Sequence, residues 1–257
     1  MAGLFRRSSH RLPAFSCTLE ESRESPPISG RLPASANCGP ISRQATGGQA
    51  AVIDVVTPDL YADYAGELRL MFQQRYRVFR QRMGWNVPGG DGEERDSFDD
   101  HYPIYLLAQD DGCELVGSWR FLPTTGPYML RDVFPQLLEG AKAPYHPLIW
   151  EGSRFAVERR GSRGRISSEL LCAVTETCIA FGIRELITVY DARMERLLPR
   201  LGCPPKWQSR PCRVGTSLAY TGRFDMNRAT LSSLRAVGGI QGSVIRNAPF
   251  FDEVAVA

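Results

Sequence analysis

Short apolar runs that suit strands alternate with longer amphipathic runs that suit helices through most of this chain. Two early strands, at 104–109 and 114–122, are separated by an Asp-Asp-Gly turn typical of hairpins. A later strand at 186–190 is followed by a helix at 192–201, which ends at a glycine, and by a strand at 213–220. A hairpin followed by strand–helix–strand alternation predicts an α/β sandwich around a central mixed sheet.

Composition divides the chain into three parts. Residues 1–50 contain eight Ser, five Pro and five Gly without periodic apolar positions, which predicts either a disordered extension or a start codon assigned too far upstream. Residues 51–222 contain most of the predicted strands and helices and form the predicted main domain. Residues 223–257 are predicted to hold a C-terminal helix, at 227–237, and a tail.

The other predicted elements lie within the main domain. They are a strand at 51–56, a long helix at 59–83 ended by Gly84, a short helix at 129–138, a strand at 148–157 and a helix at 166–181. The stretch from 85 to 102 is polar, acidic and rich in glycine, so it is predicted to be a loop.

Composition excludes several classes of protein. The chain is 43% hydrophobic and 23% charged, which is ordinary for a globular protein, and no run approaches the ~18 apolar residues of a membrane span. The net charge of +3 arises in the first 50 residues, and the balanced remainder does not indicate a nucleic-acid partner. The seven cysteines form no CxxC or zinc-spaced Cys/His pair, so no metal site is predicted, and their scatter favours reduced thiols in the cytoplasm.

Five arginines lie close together around the end of the predicted strand at 148–157, and Glu158 is the only acid among them. They are Arg154, Arg159, Arg160, Arg163 and Arg165. Such a patch attracts a phosphate group or an acidic protein. A solvated arginine-rich loop without any ligand is an equally good interpretation.

Three segments combine charged side chains with large aromatic ones. They are Arg75-x3-Phe79-x5-Trp85, Arg95-Asp96-Ser97-Phe98-Asp99-Asp100 and Trp150-Glu151-Gly152-Ser153-Arg154-Phe155. In the first segment, Arg75 and Phe79 are four residues apart and therefore share one face of a helix.

Each segment also has a purely structural interpretation. Arg75 paired with Asp96 or Asp99 would pin a loop to a helix, and Glu151 can pair with Arg154. In a regular strand, Trp150, Gly152 and Arg154 would share one face, and Glu151, Ser153 and Phe155 the other. Charge and periodicity alone therefore leave the site open.

Taken together, these segments and two more between them form one extended pattern. It runs Arg75-x3-Phe79-x5-Trp85, Glu94-x-Asp96-x2-Asp99, Gly117-x2-Arg120-x2-Pro123-Thr-Thr, Met129-Leu130-x2-Val133-Phe134 and Trp150-Glu151-x-Ser153-Arg154-Phe155. In order, identity and spacing it resembles the LuxI-type acyl-homoserine-lactone synthase family, and a weaker resemblance extends over residues 52–220. A pattern of this length is far more specific than a lone phosphate-loop motif.

The resemblance implies a fold and a reaction. The family's fold is related to the GNAT acyltransferases, an α/β/α sandwich around a twisted mixed sheet that is split to admit an acyl-pantetheine arm. The amine of S-adenosylmethionine, which is a substrate and not a cofactor, attacks an acyl thioester carried by acyl carrier protein or coenzyme A. The substrate carboxylate then displaces methylthioadenosine and closes the lactone, a quorum-sensing signal.

The resemblance also implies roles for individual residues. Glu151 is the implied catalytic base, and Arg154 orders it. The implied S-adenosylmethionine pocket consists of Arg75, Phe79, Trp85, Asp96, Asp99 and Arg120. The implied acyl pocket consists of Thr188, Met194, Leu197 and Leu198, although core packing explains the last three equally well. The implied contacts to the donor phosphate or carrier protein are Arg159, Arg160, Arg163 and Arg165.

Two aspects of the substrate are left open, the acyl donor and the length of the acyl chain. The loop before the helix at 166–181 lacks a clean glycine-rich signature, which favours a carrier protein over tightly held coenzyme A. Tyr190 and Asp191 replace smaller residues, and Gly152 stands where a larger side chain is common, so the length of the acyl chain is not fixed.

Two alternatives carry a different function. One is a GNAT-type N-acyltransferase that uses acyl coenzyme A and another amine, a class that does not need the charged and aromatic segments. The other is a non-catalytic binding protein with the same fold, which the retained charged residues argue against because unused buried charge is costly.

Overall fold

The computed structural model describes residues 51–158, 163–215 and 217–246, with the backbone alone at Arg163. Within these residues eight strands form one sheet in the order β1-β2-β3-β4-β5-β8-β6, and β7 also pairs with β8. The strands are β1 Val52–Val56, β2 Ile104–Gln109, β3 Leu115–Pro123, β4 Ile149–Val157, β5 Glu185–Asp191, β6 Trp207–Gln208, β7 Cys212–Val214 and β8 Ser217–Asp225. Only β4 and β5 pair in parallel, so the sheet is mixed as predicted.

Helices cover both faces of the sheet. They are α1 Ala65–Arg75, α2 Met129–Asp132, α3 Arg163–Ala180, α4 Ala192–Arg200 and α5 Arg228–Gly238. Alternate residues of β2 divide between two cores, since Leu106 and Ala108 pack with residues of α3, whereas Tyr105 and Leu107 pack with residues of α1. The α4 and α5 helices contribute to the core on the α3 side, and α2 to the opposite side. This three-layer arrangement is the predicted α/β/α sandwich.

The α3 helix approaches the sheet closely because β3 carries a glycine beneath it. A Cβ atom at Gly117 would lie 2.9 Å from Leu170 Cδ1 and 3.0 Å from Ile166 Cγ2. The absent side chain lets both apolar residues rest directly on the strand.

The prediction of one regular helix at 59–83 is wrong, because this range contains three kinds of helical turn. It consists of a 3-10 turn at Pro58–Leu60, the α1 helix and a π-helical segment at Tyr76–Arg82, and the chain then turns at Gly84 with φ of +69°. Apolar spacing predicts a helix but does not distinguish i→i+4 from i→i+5 hydrogen bonding. The wider segment carries the buried side chains of Val78 and Phe79.

Two shorter predictions are also corrected. The predicted strand at 213–220 is a tight hairpin, because Gly215 adopts φ of +58° and separates β7 from β8. The predicted helix at 129–138 ends at Asp132 and resumes as a 3-10 turn at Pro135–Leu138, since proline disfavours helical backbone in the residue before it. The C-terminal helix α5 agrees with its prediction, and Asn227 caps it.

The boundary predicted between residues 222 and 223 falls inside β8, which pairs with β5 as far as Asp225. No helix among the described residues is long and apolar enough to cross a membrane. Cys172, Cys178, Cys203 and Cys212 carry free thiols, as expected, whereas Cys113 is disulfide-bonded and departs from that expectation.

In a reducing buffer, where Cys113 forms no disulfide, we expect a shortened protein that begins at Ala51 to keep the unfolding midpoint of the full chain, because the sheet and both helical layers are built from residues after 50. Urea denaturation followed by circular dichroism measures this midpoint. Loss of a cooperative transition in the shortened protein would show that residues 1–50 contribute to the fold.

Candidate active site

The candidate site lies on the sheet face covered by α1 and α2, next to a split in the sheet. The β4 and β5 strands pair from Ile149 with Glu185 to Gly152 with Thr188, and the remaining residues of the two strands do not pair with each other. The end of α1, the segment from 94 to 99, β3, α2 and β4 all contribute side chains beside this split.

Asp96 and Asp99 are oriented by a local capping box. Asp96 precedes the 3-10 helix Ser97–His101, and its carboxylate accepts a hydrogen bond from the backbone N–H of Phe98 at 2.9 Å. The Asp99 carboxylate accepts one from the backbone N–H of Asp96, also at 2.9 Å. The local sequence therefore points both carboxylates to the same side.

Arg75 occupies the centre of a buried group of charges. Its guanidinium donates to both oxygens of Asp99, at 2.8 and 2.9 Å, and its Nε donates to Glu94. Tyr105 donates a further hydrogen bond to Asp99 at 2.8 Å. Burial by itself raises the pKa of Asp99, but Arg75 and Arg120 outweigh burial and hold it well below its usual range.

Two more arginines complete what we call the ion cluster. Arg120 on β3 pairs with Asp96 and, at 2.9 Å, with Asp99, while Arg154 on β4 reaches Glu94 at 2.9 Å and Asp96 at 2.7 Å. The ion cluster consists of Arg75, Arg120, Arg154, Glu94, Asp96 and Asp99. Its three positive and three negative charges balance, which makes their joint burial tolerable.

A β-bulge in β4 brings Arg154 into this cluster. The β3–β4 register shifts so that Ser118 pairs with Ala156 but Arg120 pairs with Ser153, which leaves two residues of β4 opposite one of β3. Arg154 adopts φ of +59° at this point. Left-handed backbone at a non-glycine residue costs on the order of 1–3 kcal/mol and persists only where surrounding contacts hold it.

The bulge overturns the expected alternation of faces along β4. Glu151, Ser153 and Arg154 point towards the site, since Ser153 accepts a hydrogen bond from Arg120 at 3.1 Å. Trp150, Gly152 and Phe155 face the α3 side. In a regular strand the side chains of Arg154 and Glu151 would lie on opposite faces of the sheet, whereas the extra residue puts both in one cleft.

Glu151 is the carboxylate in the cleft that forms no ion pair among the described residues. It is 1% exposed and accepts hydrogen bonds from the backbone N–H groups of Met129 at 2.8 Å and Leu130 at 2.6 Å, at the start of α2. Burial raises its pKa to about 7, while these N–H groups, Arg120 and Arg154 oppose the rise. A carboxyl group with this pKa exchanges a proton near neutral pH.

The two aromatic residues of the predicted S-adenosylmethionine pocket, Phe79 and Trp85, lie next to the ion cluster. Phe79 and Trp85 stack with their ring centroids 5.4 Å apart, and the Arg154 guanidinium lies 5.8 Å from the Phe79 centroid. The Arg154 guanidinium lies 3.2 Å from the side-chain sulfur of Met129, whose backbone N–H donates to Glu151. The sequence-predicted pocket and base residues are therefore brought together in one cleft.

The predicted acyl-pocket residues lie on the opposite, α3-facing side of the sheet. Leu198 is buried in the core there, and Met194 and Leu197 pack against it. Leu186 and Tyr190 face the same core, and Thr188, which lies two residues from each of them along β5, shares their face of the sheet. The sheet therefore separates these residues from the ion cluster.

Of the predicted donor-binding arginines, the structure describes only the side chain of Arg165. Arg159 and Arg160 lie outside the described residues, as does the side chain of Arg163. Arg165 forms an ion pair with Glu169 at 2.9 Å, one turn along α3. Among the described residues no group of three potential metal ligands is found.

Four residues of the site were not predicted as site residues. Glu94 bridges Arg75 and Arg154. Tyr105 donates a hydrogen bond to Asp99, and Ser153 accepts one from Arg120. The sulfur of Met129 contacts Arg120 and Arg154, and its backbone N–H donates to Glu151. Glu94, Met129 and Ser153 belong to the extended sequence pattern, which was the available signal. For Tyr105 the sequence carries no signal beyond its position in a buried strand.

Comparison with known proteins gives a consistent result. The family model for autoinducer synthases matches residues 59–234. The acyl-homoserine-lactone synthase of Agrobacterium fabrum is 37% identical over 186 residues, 70% of this chain and 88% of the relative. The isovaleryl-homoserine lactone synthase of Bradyrhizobium diazoefficiens is 32% identical over 206 residues, 80% of this chain and 92% of the relative.

Solved structures agree with the fold. The coenzyme A-dependent acyl-homoserine lactone synthase BjaI, solved with S-adenosylmethionine and isopentyl-CoA, matches with a TM-score of 0.71 and 30% identity, covering 80% of this chain and 98% of BjaI. The synthase LasI matches with a TM-score of 0.65 and 33% identity, covering 74% of this chain and 96% of LasI. The predicted fold and the resemblance are both confirmed. This chain belongs to the autoinducer synthases, the family of acyl-homoserine-lactone synthases.

Proposed function

We propose that this enzyme transfers an acyl group from a phosphopantetheine thioester to the α-amine of S-adenosylmethionine, with Glu151 as the base. The amine nitrogen forms a bond to the thioester carbonyl carbon, the thiolate leaves, and Glu151 accepts the amine proton. The substrate carboxylate then attacks the carbon next to the sulfonium, whose bond electrons stay on sulfur as methylthioadenosine leaves. The reaction needs no further cofactor.

The observation that carries this proposal is the environment of Glu151. An α-amine has an ordinary pKa of about 7.7–8.0, so much of it is protonated and unreactive at neutral pH. The pKa of Glu151 is raised to about 7 by burial, close to that of the amine. A base so matched accepts the proton efficiently, directly or through one water.

The ion cluster divides into a buried support and an accessible edge. The side chains of Arg75, Arg120 and Asp99 are at most 1% exposed, and their donors and acceptors are engaged within the ion cluster and by Tyr105 and Ser153. Arg154 is 11% exposed and Asp96 is 6% exposed. We therefore assign direct contact with S-adenosylmethionine to Asp96 and Arg154, and a positioning role to the three buried residues.

The aromatic pair supplies the apolar part of this pocket. Trp85 is 37% exposed and Phe79 is buried behind it. A half-exposed indole stacked on a fixed ring offers a flat face for a nucleoside and attracts a nearby cation such as the sulfonium. Asp96 suits the substrate amine, and Arg154 suits its carboxylate through paired hydrogen bonds.

For the acyl donor, we propose only the chemical group that the two candidate donors share. Acyl carrier protein and coenzyme A both present the acyl chain on phosphopantetheine. The exposed arginines of α4, Arg193, Arg196 and Arg200, extend the basic character that favoured a carrier protein. BjaI and MesI, by contrast, are coenzyme A-dependent synthases. Cytoplasmic location and the absence of a nucleic-acid partner stay predictions.

A purified assay tests the proposal and its alternative together. The protein is supplied with S-adenosylmethionine and with an acyl chain on either carrier protein or coenzyme A, and methylthioadenosine and lactone are quantified by mass spectrometry. Release of both products supports the proposed reaction and identifies the donor. Acylation of another amine without methylthioadenosine release would favour the GNAT-type alternative.

We expect Asp96→Asn to lower lactone formation about 10- to 100-fold, because a charged hydrogen bond contributes about 1.5–3 kcal/mol. Asp100→Asn is the matched control, since Asp100 lies on the 3-10 helix that Asp96 caps but forms an exposed pair with Arg95. Methylthioadenosine release at saturating acyl donor measures both variants. Equal rates for the two would remove Asp96 from the substrate pocket.

A further inference from the structure

Trp119 on β3 has a buried indole N–H without a hydrogen-bond acceptor. The residue is 4% exposed, and its Nε1 is one of three buried side-chain polar atoms without a partner among the described residues. Buried indoles usually find an acceptor, and leaving a donor unpaired costs roughly 1–3 kcal/mol. An unpaired donor inside an enzyme therefore suggests that a ligand supplies the acceptor.

The indole is fixed in place on three sides. The rings of Phe121 and Phe155 each lie with their centroids 5.0 Å from that of Trp119. On the third side stands Gly152, where an added Cβ would lie 3.0 Å from Nε1. The unusual glycine at this position is therefore what lets the N–H approach the β4 backbone.

This position coincides with the split in the sheet. Gly152 is the last residue of β4 that pairs with β5, and its partner is Thr188. Side chains of in-register neighbours in a parallel pair point the same way, with the strands about 4.8 Å apart. The Trp119 N–H thus fills the space over Gly152 and beside Thr188, at the edge of the opening.

The proposed base lies one residue away. Glu151 precedes Gly152 on β4 and points to the other face of the sheet. A thioester that passes through the split would present its carbonyl carbon near Glu151 and the first atoms of its acyl chain near Trp119.

We propose that the Trp119 indole N–H donates a hydrogen bond to a carbonyl oxygen of the bound acyl thioester, either at C1 or at C3 of the acyl group. Trp119 would then be a substrate-binding residue that selects the oxidation state or the orientation of the acyl chain. This inference rests on the proposed function, since the ligand is its acyl donor.

The sharpest test replaces the N–H without changing the ring. Benzothienylalanine at position 119 carries sulfur in place of the indole N–H, and Trp119→Phe provides a genetically simpler variant. Each is assayed with a 3-oxo-acyl donor and with the unsubstituted donor of equal length. Loss of one neutral hydrogen bond is expected to lower kcat/KM for the acyl donor about tenfold, with the KM for S-adenosylmethionine unchanged.

The two donors identify which oxygen is bound. A loss with the 3-oxo donor alone assigns the contact to the C3 oxygen, and an equal loss with both donors assigns it to the thioester carbonyl. If the kcat/KM of the benzothienylalanine variant stays within twofold of the parent value for both donors, the inference is overturned and the proposed function stays intact. Gly152→Ala, whose Cβ displaces the indole by a few tenths of an ångström, is expected to reproduce the donor-side loss.

A second measurement does not depend on turnover. The indole N–H of Trp119, assigned in ¹H–¹⁵N spectra by its absence in Trp119→Phe, is expected to shift when the acyl donor binds. The same titration with the carrier or coenzyme lacking an acyl group should leave it in place. An unchanged resonance at saturating acyl donor would refute the contact, whereas failure of the parent protein to release methylthioadenosine would refute the proposed reaction instead.

Discussion

We expect Glu151→Gln to lower the rate of lactone formation about 10²- to 10⁴-fold, the range that a positioned general base contributes. Glutamine is isosteric but does not accept the amine proton. It also presents a single acceptor oxygen to two backbone donors, the N–H groups of Met129 and Leu130. The variant should therefore lose one hydrogen bond of the site while keeping the fold, which circular dichroism checks.

The pH dependence separates a catalytic from a merely structural role. Burial raises the pKa of Glu151 above its ordinary value, to about 7. The base acts when deprotonated, so the activity of the parent protein should fall as the pH drops through about 7. The Gln variant should lack the limb near pH 7 and keep only the limb of the substrate amine, whose ordinary pKa is about 7.7–8.0. Near-normal turnover, or an unchanged limb in the variant, would exclude Glu151 as the base.

We expect Arg75→Met to destabilise the fold by about 3–5 kcal/mol, the usual cost of removing one partner from a buried ion pair. Arg75 lies at the end of α1 with its side chain 1% exposed, and its loss leaves Glu94 and Asp99 short of a positive charge. The folded protein contains an excess of buried negative charge in this variant. Urea denaturation measures the change in the free energy of unfolding.

Arg69→Met is the matched control on the same helix. Arg69 pairs with Glu93 at 2.9 Å, but its side chain is 70% exposed. Exposed pairs contribute at most about 1 kcal/mol, so this variant should unfold close to the parent midpoint. Equal effects of the two substitutions would mean that the ion cluster does not support the fold.

Much of the fold was predictable because its elements are encoded locally. The β2 strand and the α5 helix, with Asn227 as its cap, follow from apolar spacing and turn residues. The same spacing did not reveal the π-helical segment after Arg75 or the turn at Gly215, since neither changes which residues are apolar.

The sequence by itself determined the family and most residues of the candidate site, because the pattern from Arg75 to Phe155 preserves residue identity and spacing. Only the tertiary structure decided how those residues divide the work. The extra residue at Arg154 rotates one side chain to the other face of β4, and this depends on the register with β3. Arg154 and Glu94 meet across 60 residues of sequence.

The roles of the charged residues were decided in the same way. The sequence predicts a ligand-binding role for Arg75, Asp99 and Arg120, whereas their mutual pairing and burial are the basis of the supporting role that we propose. Pairing energies and solvent exposure depend on which groups come together in space, and that information is absent from any single stretch of the chain. The chemistry of the site was encoded by residue type, and its geometry by the packing of distant segments.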